Sequence, residues 1–243
     1  MKVLVDTHTH TCVSAHAYST LKENLDIAKE KGLEMIVMTD HAPNMVDGAH
    51  MWHFYSMAWL PKKVNGIKIL SGIEVDVLDG GILDVCEKDF VNHFKPEVVV
   101  ASFHEPLYKP KTMRDHTEAW LNVVRNPMVD ICGHSGDPRF IFEIEPVIMM
   151  AKKYNKCIEI NNNSFVVRNG SRKFCLEIAK MCKKIGTKIV VSSDAHSCWQ
   201  VGEFGDAIEM LKEIDFDEEL VMNITAEKFI NYLEELHFKK IDF

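Results

Sequence analysis

The chain has 243 residues, 28 Lys and Arg against 36 Asp and Glu, and a formal net charge of -8; 47% of it is hydrophobic and 26% charged. At this length one domain spanning 1–243 is the expectation, since α/β barrels of about 200–250 residues are routinely single units. The acidic balance argues against gripping long nucleic acid, which takes Lys and Arg along phosphates, and the apolar runs fall short of the ~20 residues of a membrane helix.

In chain order, short β-branched or apolar runs at 3–6, 35–39, 67–71, 98–102, 129–133, 157–160 and 188–193 predict seven strands. Between most of them lie amphipathic stretches of helical period. Thr20-Leu21-Lys22-Glu23 is a capping box opening a helix that Gly32 closes; 113–125 is stopped by Asn126-Pro127; 174–185 ends at Gly186. A last helix at 225–237, with Phe229, Ile230 and Leu233 on one side, is expected to pack across the outside. The 45–61 stretch, with Met51, Trp52, His53, Phe54, Tyr55, Met57 and Trp59, fits neither period and is expected to be an excursion serving as a substrate lid or a subunit contact. The N-terminus turns polar too early for a secretory leader, and seven scattered cysteines, Cys86 among them, include no C-x-x-C pair. Reduced thiols and a cytoplasmic protein are the expectation.

Strands alternating with helices imply an α/β fold with a parallel sheet, open or closed. An open nucleotide-binding sheet usually carries a glycine-rich first turn, whereas the first strand here runs into Asp6-Thr7-His8-Thr9-His10. That favours a barrel. Every expected strand but the sixth runs into a metal-ligating residue type: His8 and His10, then His41, Glu74, His104, His134, and last Asp194 and His196. In a parallel barrel those C-terminal ends open on one face.

Two histidines two apart on a strand point to the same side and can grip one cation. With His16, the candidates number seven of the chain's 12 histidines plus two carboxylates. Imidazole-rich ligation suits zinc, or manganese and iron, better than calcium or magnesium. One catalytic zinc uses about three protein ligands, so nine, with a carboxylate able to bridge, imply three ions. Asp6 and Asp40 are expected to accept from ligand imidazole N–H groups, and Arg139 is a candidate phosphate clamp. His50, His53, His93, His116 and His237 fall outside the pattern and receive no metal role.

In order and spacing, Asp6-Thr7-His8-Thr9-His10, Thr39-Asp40-His41, Gly72-Ile73-Glu74, Ser102-Phe103-His104-Glu105, Gly133-His134 and Ser193-Asp194-Ala195-His196 resemble the motifs of the PHP (polymerase and histidinol phosphatase) superfamily. Within it, His16-Ala17-Tyr18-Ser19-Thr20, Trp52-His53-Phe54, Glu159-Ile160-Asn161-Asn162 and Gly202-Glu203-Phe204 are similar to the YcdX-type bacterial phosphatases. The resemblance implies a distorted (β/α)7 TIM-like barrel with three Zn2+ at the strand C-termini. It assigns the first to His8, His10, Glu74 and Asp194, the second to His16, His41 and His196, and the third to the shared Glu74 with His104 and His134. Ser135 stands where the family commonly has proline. The resemblance also implies a homo-oligomer, a trimer.

Such a site lowers the pKa of a bridging water towards ~7 and so supplies hydroxide for attack on phosphorus without a side-chain nucleophile. The expected activity is hydrolysis of phosphomonoesters of small molecules. A phosphodiesterase or nuclease acting on short nucleotides is the alternative enzyme, and a non-enzymatic metal-binding protein is the third reading. Nine converging ligands argue against the last. Three divalent ions against Glu74 and Asp194 leave the pocket strongly positive, so the acidity of the chain does not oppose small anionic substrates.

Overall fold

The computed structural model describes residues 1–85 and 94–241; Cys86 and His93 lie outside them. Seven strands run parallel in the order β1 (Val5–Thr9), β2 (Met35–Met38), β4 (Ile67–Asp76), β5 (Val98–Ser102), β6 (Ile131–Cys132), β7 (Cys157–Asn161) and β8 (Ile189–Ser192). An eighth, β3 (Lys63–Val64), pairs antiparallel with the start of β4 through an Asn65-Gly66 turn in which both residues have positive φ. The sheet curls into the nearly closed barrel expected from the motifs. Its last seam, between β1 and β8, is bridged at the top by Thr9 and Ala195. Lower down, Asn223 fills the gap: its Nδ2 donates to Val5 O at 2.8 Å and Val191 O at 2.6 Å, and its Oδ1 accepts from Val191 N at 3.0 Å. A side-chain amide here does the work of a missing strand.

The helices α1 (Leu21–Glu30), α3 (Met113–Arg125), α4 (Ile144–Lys153), α6 (Ser171–Ile185) and α7 (Gly205–Glu213) bury their apolar faces against the outside of the sheet. Thr20 and Thr112 each close a capping box, and Gly186 ends α6 in the left-handed region at φ 79°. The last helix, α8 (Ala226–His237), departs from expectation. Its Ala226, Phe229, Tyr232 and Leu233 pack in one buried cluster with Val5, Met35, Val37, Leu70, Val98, Val100, Ile131, Cys157 and Val190, the apolar lining of the barrel itself. It stoppers the N-terminal mouth, because those inward-facing residues would otherwise meet water. The 45–61 stretch holds α2 (Met51–Ser56), begun by His50 as N-cap, with Phe54 and Met57 buried and Trp52 and Trp59 exposed. Among the described residues no helix is long and apolar enough to cross a membrane.

Along each strand every second residue faces inward, and the character of that row changes with height. Met35-Val37-Thr39-His41, Leu70-Gly72-Glu74-Asp76, Val98-Val100-Ser102-His104 and Val190-Ser192-Asp194 all run from apolar through small to ionisable. The small middle layer is tight. A Cβ on Gly133 would lie 2.1 Å from Ser102 Oγ and 2.6 Å from Val100 Cγ1. Above that layer the polar groups gather at the C-terminal mouth.

Candidate metal centre

Glu74 stands at the middle of the mouth, on β4 itself, since that strand continues to Asp76 instead of ending near Ser71. Its Oε2 lies 3.3 Å from His8 Nε2, 3.6 Å from His10 Nε2 and 3.1 Å from His41 Nδ1. Its Oε1 lies 3.2 Å from His134 Nε2 and 3.6 Å from His104 Nε2. Asp194 Oδ1 closes the other side, 3.3 Å from His10 Nε2 and 3.6 Å from His8 Nε2. His196 stacks on His10 and on His16, each at 4.3 Å between ring centroids. All nine residues expected to be ligands therefore meet at one place, although 188 positions separate His8 from His196. The structure groups His8, His10 and Asp194; His10, His41 and His196; and His41, Glu74 and His104, each with donor atoms within 4.8 Å of one another. A fourth such group joins His16 and His41 to Asp47.

These atoms are buried and yet unsatisfied. Among the described residues, His8 Nε2, both ring nitrogens of His10 and His41, both oxygens of Glu74 and His196 Nε2 have no hydrogen-bond partner. Each such atom costs about 1–3 kcal/mol where nothing compensates it. Lone pairs aimed at a common centre are what a cation requires, so the donor set fits transition-metal ions of the zinc type. The electrostatics divide the imidazoles: burial would lower His8 and His41, but attraction to Glu74 outweighs it and draws His8 well above its usual range and His41 up to about 9. Burial, then repulsion from His196 and His41, pushes His10 down to about 3, and burial carries His104 down to about 4. Burial would raise Glu74, but the imidazoles of His8, His104 and His41 outweigh it and hold the carboxylate well below its usual range.

The ligand rings are aimed by carboxylates that sequence reasoning gave no role. His8 Nδ1 donates to Glu159 Oε1 at 2.7 Å, His104 Nδ1 donates to Asp76 Oδ1 at 2.7 Å, and His16 Nδ1 bonds Asp47. Glu159 also accepts from Ser192 Oγ at 2.6 Å and from the main-chain N–H of His134. Glu159 and Asp76 lie in the inward-facing rows, which is the signal that could have found them. Two candidate ligands also sit on strained backbone, His134 at φ 22° and Asp194 at φ 50°.

Asp6 and Asp40 are buried but act on main chain and loops, which corrects the expectation that they receive ligand imidazole protons. Asp6 accepts from Ser193 N at 3.1 Å, from Ser193 Oγ and from Gly202 N at 2.8 Å, tying β1 to the Asp194 loop. Asp40 accepts from Thr11 N, Thr11 Oγ1, Ser14 Oγ and His53 Nε2 at 2.7–3.0 Å. Ser14 Oγ in turn accepts from His41 N. The one imidazole on Asp40 thus comes from α2, and the short spacing from ligand to carboxylate concealed this because the turn carries Asp40 away from the mouth. His116 is a core residue, bonded to Ile141 O and to Lys111 N.

A cavity of about 410 Å³ opens at the cluster, with His16, His41, His104, Asn163, Arg168 and Gln200 among its lining. Arg139 does not reach it. Its guanidinium grips Asp137 at 2.6–3.1 Å and Glu105 at 2.8 Å.

A family model described as the PHP domain matches residues 6–242. A probable phosphatase of Acetivibrio thermocellus is 44% identical over 235 residues, 96% of each chain, and one of a Thermoanaerobacter species is 45% identical over 238 residues, 97% of this chain and 96% of the relative. Among solved structures, the histidinol phosphate phosphatase of Lactococcus lactis, complexed with zinc, L-histidinol and phosphate, superposes with a TM-score of 0.67 over 89% of this chain and 95% of its own, at 19% identity. That likeness bears on the fold.

Proposed function

The chain belongs to the PHP domain family, and from that premise we propose that it is a metal-dependent phosphatase that hydrolyses phosphomonoesters of small molecules. The observation that carries the reading is the set of buried, unpartnered imidazole and carboxylate atoms facing one open cavity. The names of relatives at 44–45% identity support it. Three Zn2+ are proposed, with Mn2+ or Fe2+ as substitutes. His8, His10, Glu74 and Asp194 would hold one; His16, His41 and His196 a second; Glu74, His104 and His134 a third. Such ions, when bound, supply Lewis acidity towards a phosphoester and acidify water.

The chain's own groups do the positioning. Glu159, Asp76 and Asp47 hold the protons of His8, His104 and His16 on the outward nitrogens and leave the inward ones as lone pairs. The apolar floor beneath the small layer excludes water from below, so the reacting group meets solvent only through the cavity. A cavity of this size takes a small phosphorylated substrate.

Self-association is part of the proposal. Tyr18, Val46 and Trp199 stand exposed on the loops that carry His16, Asp47 and His196, and Trp52 and Trp59 on the α2 excursion. Burying them between copies fits the trimer that the resemblance implies, and sedimentation at monomer mass would remove it.

Zinc-loaded protein is expected to release phosphate from an aryl monoester and from phosphorylated metabolites, to lose that activity on exhaustive chelation and to regain it with zinc or manganese. Full activity after chelation overturns the reading. Faster turnover of an aryl diester or of dinucleotides moves it to the phosphodiesterase class on the same site.

A further inference from the structure

Among the described residues one Lys or Arg side chain lines the cavity, and it is Arg168. It follows the single turn α5 (Ser164–Val167), with its main-chain N–H on Ser164 O at 2.9 Å. The side chain is only 12% exposed. Its Nη1 donates to Ser164 Oγ at 2.8 Å and lies 3.7 Å from Asp194 Oδ2. Its Nε is buried and without a hydrogen-bond partner, although Asp137 Oδ2 is 3.3 Å away.

Two neighbours explain why this guanidinium stays underused. Asp137 is occupied by Arg139, which bonds both of its oxygens. Asp194 Oδ2 already accepts from Asn161 Nδ2 at 3.1 Å. Arg168 pairs with both carboxylates by charge, at 3.3 and 3.7 Å, but donates a hydrogen bond to neither. It is instead tethered through Ser164, whose Oγ sits 3.0 Å from Asn161 Oδ1. Of the five N–H groups of a guanidinium, one is committed among the described residues, and the planar fork suits two oxygens of a phosphate.

We propose that Arg168 is the phosphate clamp: it contacts a phosphoryl oxygen of a substrate seated at the metal centre and there meets the charge that grows during hydrolysis. The proposal rests on the phosphatase reading for its substrate, and on the position of Arg168 beside Asp194 for its reach. It transfers the role expected of Arg139 to a residue 29 positions later. Lysine would supply the charge but not the fork.

The test uses the zinc-loaded protein and inorganic phosphate as probe, with binding read by titration calorimetry, metal content by mass spectrometry and turnover on an aryl phosphate. Arg168→Met is expected to weaken phosphate binding about tenfold to hundredfold at unchanged metal content, the loss of one charge-assisted contact. Arg168→Lys is expected to fall between, and Arg172→Met, which breaks only a surface pair with Glu213, to match wild type. Wild-type phosphate affinity in Arg168→Met overturns the clamp. So does loss of metal together with phosphate in both Arg168 variants, which would make the residue a support for Asp194. If wild-type protein binds phosphate through Arg168 and yet hydrolyses no monoester, the phosphatase reading fails and the clamp stands.

Discussion

His8 and Glu159 stand 2.7 Å apart inside the barrel mouth, 151 residues apart in the chain, with the imidazole Nδ1–H donating to Oε1. That bond turns His8 Nε2 towards Glu74 and Asp194, and through its other oxygen the same carboxylate pins the strained main chain of His134. Glu159 thus couples two of the proposed ion sites. Glu159→Gln is expected to lower zinc affinity about 10–100-fold, the usual effect of losing a partner behind a ligand. Competition with a chelator of known affinity measures it; undiminished affinity would show that His8 needs no such partner.

Removing the metal should cost stability as well as activity. Binding to the native state alone stabilises by RT ln(1 + [L]/Kd), about 4 kcal/mol at a thousandfold excess over Kd. The stripped protein is therefore expected to melt well below the zinc-loaded form, and zinc added back should restore the transition. Coincident melting curves would contradict the idea that the unpartnered atoms of His8, His10, His41 and Glu74 await a cation.

In the small layer, Gly133→Ala drives a methyl to 2.1 Å from Ser102 Oγ and 2.6 Å from Val100 Cγ1, immediately before His134. Overpacking of this kind costs about 1–3 kcal/mol. We expect a lower urea midpoint together with weakened metal binding. A variant as stable as the parent would mean that the layer has room.

Phe229 carries the stopper. It is fully buried in the cluster that α8 shares with the barrel lining. Phe229→Ala is expected to destabilise the fold by about 3–5 kcal/mol. Chemical denaturation measures it, and a loss below about 1 kcal/mol would contradict the full burial of Phe229 in that cluster.

Burial pushes the Cys132, Cys157 and Cys175 thiols up to about 12. Unfolded thiols ionise near ~8.5, so between roughly pH 9 and 12 the unfolded chain holds fewer protons than the native one. Stability is then whole below that window and falls as pH rises through it, by up to about 1.4 kcal/mol per unit for each thiol. A thiol reagent at neutral pH should label exposed Cys12 first and reach these three only on unfolding. Labelling of Cys157 in native protein would refute their burial.

Much of this molecule was legible in one dimension because barrel geometry is periodic. Alternation on a strand and a shared C-terminal face are enough to bring His8, His10, His41, Glu74, His104, His134, Asp194 and His196 together, and capping boxes and glycines mark the helix ends. The orienting groups were harder to see. Glu159 and Asp76 carry the right parity, but only a fold shows which ring each carboxylate meets.

What the chain order determined by itself was therefore the fold class and the nine candidate ligands, since both follow from local spacing. Only the tertiary structure decided that α8 closes the barrel floor, that Asn223 seals the seam between β1 and β8, and that Arg168 rather than Arg139 faces the cavity. Each depends on which distant partner a side chain finds. Arg139 lies nearer in sequence to His134, yet Asp137 and Glu105 claim its guanidinium, and that competition is a matter of space and not of spacing.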